Sequence, residues 1–166
     1  MGSGQERRTE RTRQRACIAT WNIRSINTAV NKHALTLLME TESPEIAIIT
    51  ETWAEKEQPI HAKYDHFWSP PTRHQGVLVM THKDMKFVPW AKEEWTNCMV
   101  SVRNEQFIVI GVYVPPNNEH QVEMKLRQLL RAATERRYSS IVVAGDLNDE
   151  KKELVRRLEG IEPMFN

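Results

Sequence analysis

The sequence predicts an α/β fold, on three observations. Four short runs rich in Ile and Val have strand length, a helix-spaced segment separates the first two, and the middle of the chain breaks into short strands joined by brief polar or Pro-containing links. Each of the four apolar runs also stops on a polar residue. Cys17–Trp21 gives way to Asn22, Ile46–Thr50 to Glu51, Phe107–Val112 to Tyr113, and Ile141–Gly145 to Asp146 and Asn148. In α/β sheets the side chains at the carboxyl ends of strands line the ligand crevice, so neighbouring strands would bring these residues to one place.

The elements follow in order. After the first strand, Asn27 or Thr28 can cap a helix in which Val30, Ala34, Leu35, Leu37, Leu38 and Met39 recur at helical spacing, and Ser43-Pro44 ends it. A strand over 46–50 completes a β-α-β unit, which implies a parallel pair. Strands at 64–68, 76–81, 87–90, 97–102 and 107–114 then predict an antiparallel middle, with Asn104-Glu105 as a hairpin turn. Pro115-Pro116-Asn117-Asn118 breaks the chain and caps a long helix from about Glu119 to Tyr138, with Val122, Leu126, Leu129, Leu130 and Ala133 on one stripe. Its other face carries Lys125, Arg127, Arg131, Arg136 and Arg137 and reads as solvated. The strand at 141–145 precedes a helix over about 149–159 that packs through Leu154, Val155 and Leu158 and stops at Gly160.

A chain of 166 residues is one domain with room for a core. Its net charge of +1 hides an asymmetry: residues 1–15 hold five arginines against two glutamates, leaving the rest slightly acidic. That opening lacks apolar periodicity and reads as a disordered arm able to touch phosphates, ahead of a partial folded domain at 16–166. No run approaches the 18 apolar residues of a membrane span and no signal-peptide core opens the chain, so it reads as soluble, intracellular and without a membrane partner. Two cysteines make no disulfide framework; Cys17 and Cys98, both in apolar runs, are expected to be buried thiols.

The strand-end residues comprise two carboxylates, two amides and a phenol, hard donors suited to Mg²⁺ or Mn²⁺ with phosphate. Phosphodiester hydrolysis needs charge neutralisation on the phosphate and an oriented, deprotonated water. Glu51 with Asn22 can hold the metal, Asp146 can serve as base, Asn148 can orient phosphate or water, and Tyr113 can donate a hydrogen bond to a phosphoryl oxygen. Taken singly, Tyr113 reads as a core edge and Asn22 as a turn residue. Gly-Asp-x-Asn at a strand end resists a packing explanation.

Trp21-Asn22-Ile23-Arg24-Ser25, Thr50-Glu51-Thr52-Trp53, Gly76-Val77-Leu78-Val79, Val112-Tyr113-Val114-Pro115-Pro116-Asn117 and Gly145-Asp146-Leu147-Asn148, in this order, resemble the endonuclease/exonuclease/phosphatase superfamily. Within it they look most like the apurinic-type endonuclease domain of LINE-type non-LTR retrotransposons. The resemblance implies a four-layered, DNase I-like α/β sandwich of two mixed sheets flanked by helices, and divalent-metal-dependent cleavage of DNA in the nucleus. It makes Asn22 and Glu51 the metal-site residues, Tyr113 a phosphate contact, Asp146 and Asn148 the catalytic pair, and Asn117 a DNA-phosphate contact. Two departures accompany it. Arg24 stands where some relatives carry an acid, and the superfamily's closing Ser-Asp-His-type motif has no counterpart here. The expectation is therefore a C-terminally truncated domain, its last strands missing, that nicks DNA weakly or not at all.

The six histidines read as scattered surface residues, with His74 and His120 the two to test as substitutes for the missing one. Two other readings stand beside the nuclease: a non-catalytic module whose sheet is completed by a second chain or second copy, and a phosphatase for small phosphoesters. Trp53, Trp68, Trp90 and Trp95 read as core or rim, with base stacking as the alternative.

Overall fold

The computed structural model describes residues 16–136, 140–148 and Leu154, and among the first two stretches it shows eight strands and two α-helices. The strands are β1 (Ile18–Asn22), β2 (Ile46–Thr50), β3 (Tyr64–Trp68), β4 (Val77–His82), β5 (Val88–Pro89), β6 (Met99–Arg103), β7 (Phe107–Tyr113) and β8 (Ser140–Asp146). The helices are α1 (Ala29–Glu42), between β1 and β2, and α2 (Glu119–Glu135), between β7 and β8.

Two mixed four-stranded sheets result, ordered β1-β2-β4-β3 and β5-β6-β7-β8. The two pairs joined through a helix are parallel, β1 with β2 and β7 with β8, and every other pair is antiparallel. The predicted β-α-β unit and antiparallel middle are both present. One difference decides the site. The four strand ends do not line one sheet: β1 and β2 belong to the first, β7 and β8 to the second, and the sheets stack so that β1 packs on β8.

The period-2 rule explains why these strands are apolar throughout. Along β2 and β4, Ile46, Ile48, Val77 and Val79 point between the sheets, while Ala47, Ile49, Leu78 and Met80 point outward to meet Leu35 and Met39 of α1. Val122, Leu126, Leu129 and Ala133 of α2 join the other cluster with the strands of the second sheet. Helix, sheet, sheet and helix make the four layers. Gly111 allows the sheets to approach, since a Cβ there would lie 2.7 Å from a Val79 methyl.

Local details refine the sequence reading. Thr28, rather than Asn27, caps α1 by accepting from Asn31 N at 3.2 Å. Asn104 makes the β6–β7 turn itself, its Oδ1 accepting from the amides of Gln106 and Phe107. β5 covers only two of the four residues expected. Cys98 is buried but Cys17 is exposed, because Cys17 enters a strand that, among the described residues, has a neighbour on one side only. His66 is no loose surface residue: its Nε2 accepts from the amides of Ile60 and His61, and burial holds the imidazole below its usual pKa. The arm at 1–15 and, apart from Leu154, the helix expected over 149–159 lie outside the described residues.

Candidate active site

At the β1/β8 edge of the sandwich the strand ends meet. Asn22 Nδ2 donates to Glu51 Oε1 at 2.8 Å and to Asp146 Oδ2 at 3.0 Å, so one amide bridges the carboxylates of two sheets. The orientation follows from charge: two carboxylate oxygens repel the amide oxygen and attract its N–H₂ group. Asn22 Oδ1 accepts from Arg24 N at 3.2 Å. The Tyr113 phenol, almost wholly buried, interacts with the Glu51 carboxylate. Burial first, and then the carboxylates of Glu51 and Asp146, push its pKa up to about 12, so it is a neutral hydrogen-bond donor at physiological pH.

Asp146 is held from its other side as well, its Oδ1 accepting from Asn148 N at 3.1 Å. Asn148 Nδ2 donates to Val114 O at 2.7 Å, and Val114 N donates to Asp146 O at 2.9 Å, which locks the ends of β7 and β8 together. The fold therefore unites Asn22, Glu51, Tyr113, Asp146 and Asn148. Asn117 is apart from them, exposed on the turn closed by Asn118 N and Pro115 O. His74 stacks edge-on to Trp53 at 6.1 Å, and His120 is exposed in the first turn of α2; neither joins the cluster.

The backbone around the cluster is strained. Arg24, Ser25, Glu51, Trp53 and Asn148 all adopt positive φ, which non-glycine residues rarely do. Backbone hydrogen bonds hold it there: Ser25 N to Glu51 O at 2.7 Å, Ile26 N to Thr52 O at 2.8 Å and Trp53 N to Gln75 O at 2.8 Å. A positive φ at Glu51 turns the chain out of β2 at the residue whose carboxylate meets Asn22. Gly145, at φ +141°, lies so close to Val112 that a Cβ would sit 1.9 Å from its carbonyl oxygen.

Among the described residues no three His, Cys, Asp or Glu side chains gather as a metal cage. The donor set is two carboxylates, two amides and a phenol. This fits Mg²⁺ or Mn²⁺, which are commonly held by one or two carboxylates together with waters and substrate phosphates.

Over residues 19–159 the sequence matches the Endonuclease/Exonuclease/phosphatase family. The chain belongs to this family. No curated protein matches it significantly. Among solved structures, the endonuclease domain of TRAS1, a telomere-specific non-LTR retrotransposon, superposes with a TM-score of 0.66 at 15% identity, covering 88% of this chain and 68% of that one. The 3′ phosphatase NExo from Neisseria, bound to a product DNA hairpin, gives 0.61 at 20% identity over 79% of this chain and 57% of its own. An AP endonuclease from Archaeoglobus fulgidus gives 0.59 at 21% identity over 81% and 58%. These likenesses confirm the DNase I-like fold of the endonuclease/exonuclease/phosphatase chain, which spans little more than half the length of the latter two. No described helix is long and apolar enough to cross a membrane.

Proposed function

We propose that the chain carries the first-half catalytic cluster of a divalent-metal-dependent phosphodiesterase that nicks DNA, of the kind found in non-LTR retrotransposons and acting on nuclear DNA. The observation that carries this reading is the Asn22 amide placed between Glu51 and Asp146. Carboxylates drawn from two sheets to one amide have no packing purpose, and a strained backbone maintains them.

In this reading Glu51 would hold Mg²⁺ or Mn²⁺, which would supply charge neutralisation on the phosphate, and Asn22 would join it only through Oδ1, the nitrogen that now meets the carboxylates being a donor and no metal ligand. Asp146, fixed at both oxygens by neutral donors, takes a proton from the attacking water. Tyr113, kept protonated, donates to a phosphoryl oxygen. Asn148 sets the Asp146 carboxylate through its backbone amide, and its side-chain oxygen is available to water or phosphate. Asn117, exposed just beyond β7, contacts a DNA phosphate.

The test is relaxation of supercoiled plasmid in Mg²⁺ or Mn²⁺ beside Asp146→Ala and Glu51→Ala. Nicking lost in both variants supports the assignment; nicking that survives in both removes it. A second reading, a sheet completed by another chain or copy, is favoured by β1 and β8, which among the described strands each pair on one side only, and by the part-exposed apolar residues of β8. Sedimentation separates the two: a monomer with a cooperative melt counts against completion.

A further inference from the structure

We infer that a mixed polar and apolar cavity near the catalytic cluster receives a nucleobase, so that a nucleotide flanking the scissile phosphate is read by its base; that placement rests on the nuclease reading above. The cavity, of about 380 Å³, lies between the chain before β4, the chain before β6 and the first turn of α2. Its wall is tied to the cluster by one backbone bond, Tyr113 N to Cys98 O at 2.9 Å, and to the chain two residues beyond Glu51 by another, Trp53 N to Gln75 O at 2.8 Å.

The chemistry of its wall selects the ligand. Gln75, Asn97, Asn118 and Gln121 supply four carboxamides, each with donors and an acceptor, as base edges also have. A phosphate oxygen only accepts and would leave the amide oxygens of this wall without a use, and the one cation here, Lys125, is already paired with Glu94. Asn118 stands at the N-cap of α2 without capping it, against the expectation for an Asn there, so its amide is not used by the helix. Among the described residues the Asn97 and Gln121 side chains likewise have no protein partner. The sulfur of Cys98 points to Gln75 Oε1 at 3.5 Å, which leaves the Gln75 amide nitrogen for a ligand. Trp95 adds a rigid aromatic wall, its indole nitrogen fixed by Trp90 O at 3.0 Å and Ser101 Oγ at 3.1 Å. Unspent amides beside a clamped indole suit a flat heterocycle with mixed donors and acceptors.

Saturation-transfer NMR on the full chain with each of the four free nucleosides, which carry no phosphate, tests the cavity separately from hydrolysis. Base protons of at least one nucleoside should saturate more than its ribose protons. The signal should fall to background in Asn97→Ala/Gln121→Ala and in Asn118→Ala, and persist in Glu51→Gln. No base saturation in the wild type, or equal saturation in both cavity variants, overturns the inference. Plasmid nicking run in parallel keeps the two ideas apart: nicking without nucleoside saturation removes the base site alone, and nicking that survives in both Asp146→Ala and Glu51→Ala, with nucleoside saturation intact, removes the nuclease assignment alone.

Discussion

Asn22 donates to Asp146 across 124 residues of sequence and between two sheets, at 3.0 Å, while the same nitrogen reaches Glu51. The contact is where the two parallel β-α-β units of the sandwich are joined chemically. Without it, two carboxylates would face each other with no donor between them.

Asn22→Asp should therefore lower stability in chelator by about 1–2 kcal/mol through like-charge repulsion, and Mg²⁺ should raise the variant's Tm more than the wild type's. Thermal melts with and without Mg²⁺ measure both. An Asn22→Asp protein as stable as the parent in chelator would show that the bridge does not hold the carboxylates.

Tyr113 predicts an alkaline signature. Its folded pKa, about 12, is above the ordinary phenol value of 10.0. The native state therefore keeps a proton that the unfolded chain releases. The stabilisation is complete below pH 10 and is lost as pH rises toward 12. Tyr113→Phe should flatten this decline in denaturant titrations between pH 9 and 12. Parallel decline in both proteins would contradict the assignment.

Gly145→Ala should destabilise the chain by about 2–4 kcal/mol, since the backbone is at φ +141° and the added methyl meets the Val112 carbonyl. Urea unfolding gives the number. A loss below about 0.5 kcal/mol, the range of neutral surface changes, would mean that β7 and β8 part easily at the site.

The cysteines should differ sharply. Burial pushes the Cys98 thiol up to about 11, whereas Cys17 is exposed. Iodoacetamide at pH 8 should label Cys17 first, with Cys98 following far more slowly. Mass spectrometry of the native protein reads this directly, and equal labelling would be inconsistent with a closed core at β6.

Much of the fold was legible because strand and helix periods are local. The β2 and β4 runs show nearly every residue apolar because both faces are covered, and α2 shows its stripe because only one face is. β5 was overestimated because Phe87 and Trp90 are buried for reasons of packing, outside the ladder. Cys17 was misjudged because an apolar run does not reveal which strand lies at an edge. The amides of the cavity gave no signal at all: Gln75, Asn97 and Gln121 stand in three separate segments, and polar loop residues look alike until the fold gathers them.

From the sequence alone came the strand ends, their residue types and the family to which their order belongs. Spacing along a chain records what each strand carries at its tip. Only the tertiary structure decided that these tips come from two sheets, that the Asn22 nitrogen rather than its oxygen meets the carboxylates, and that Glu51 leaves β2 through a left-handed turn. Those facts depend on sheet stacking and on repulsion between groups far apart in sequence, and neither leaves a periodic trace in the chain.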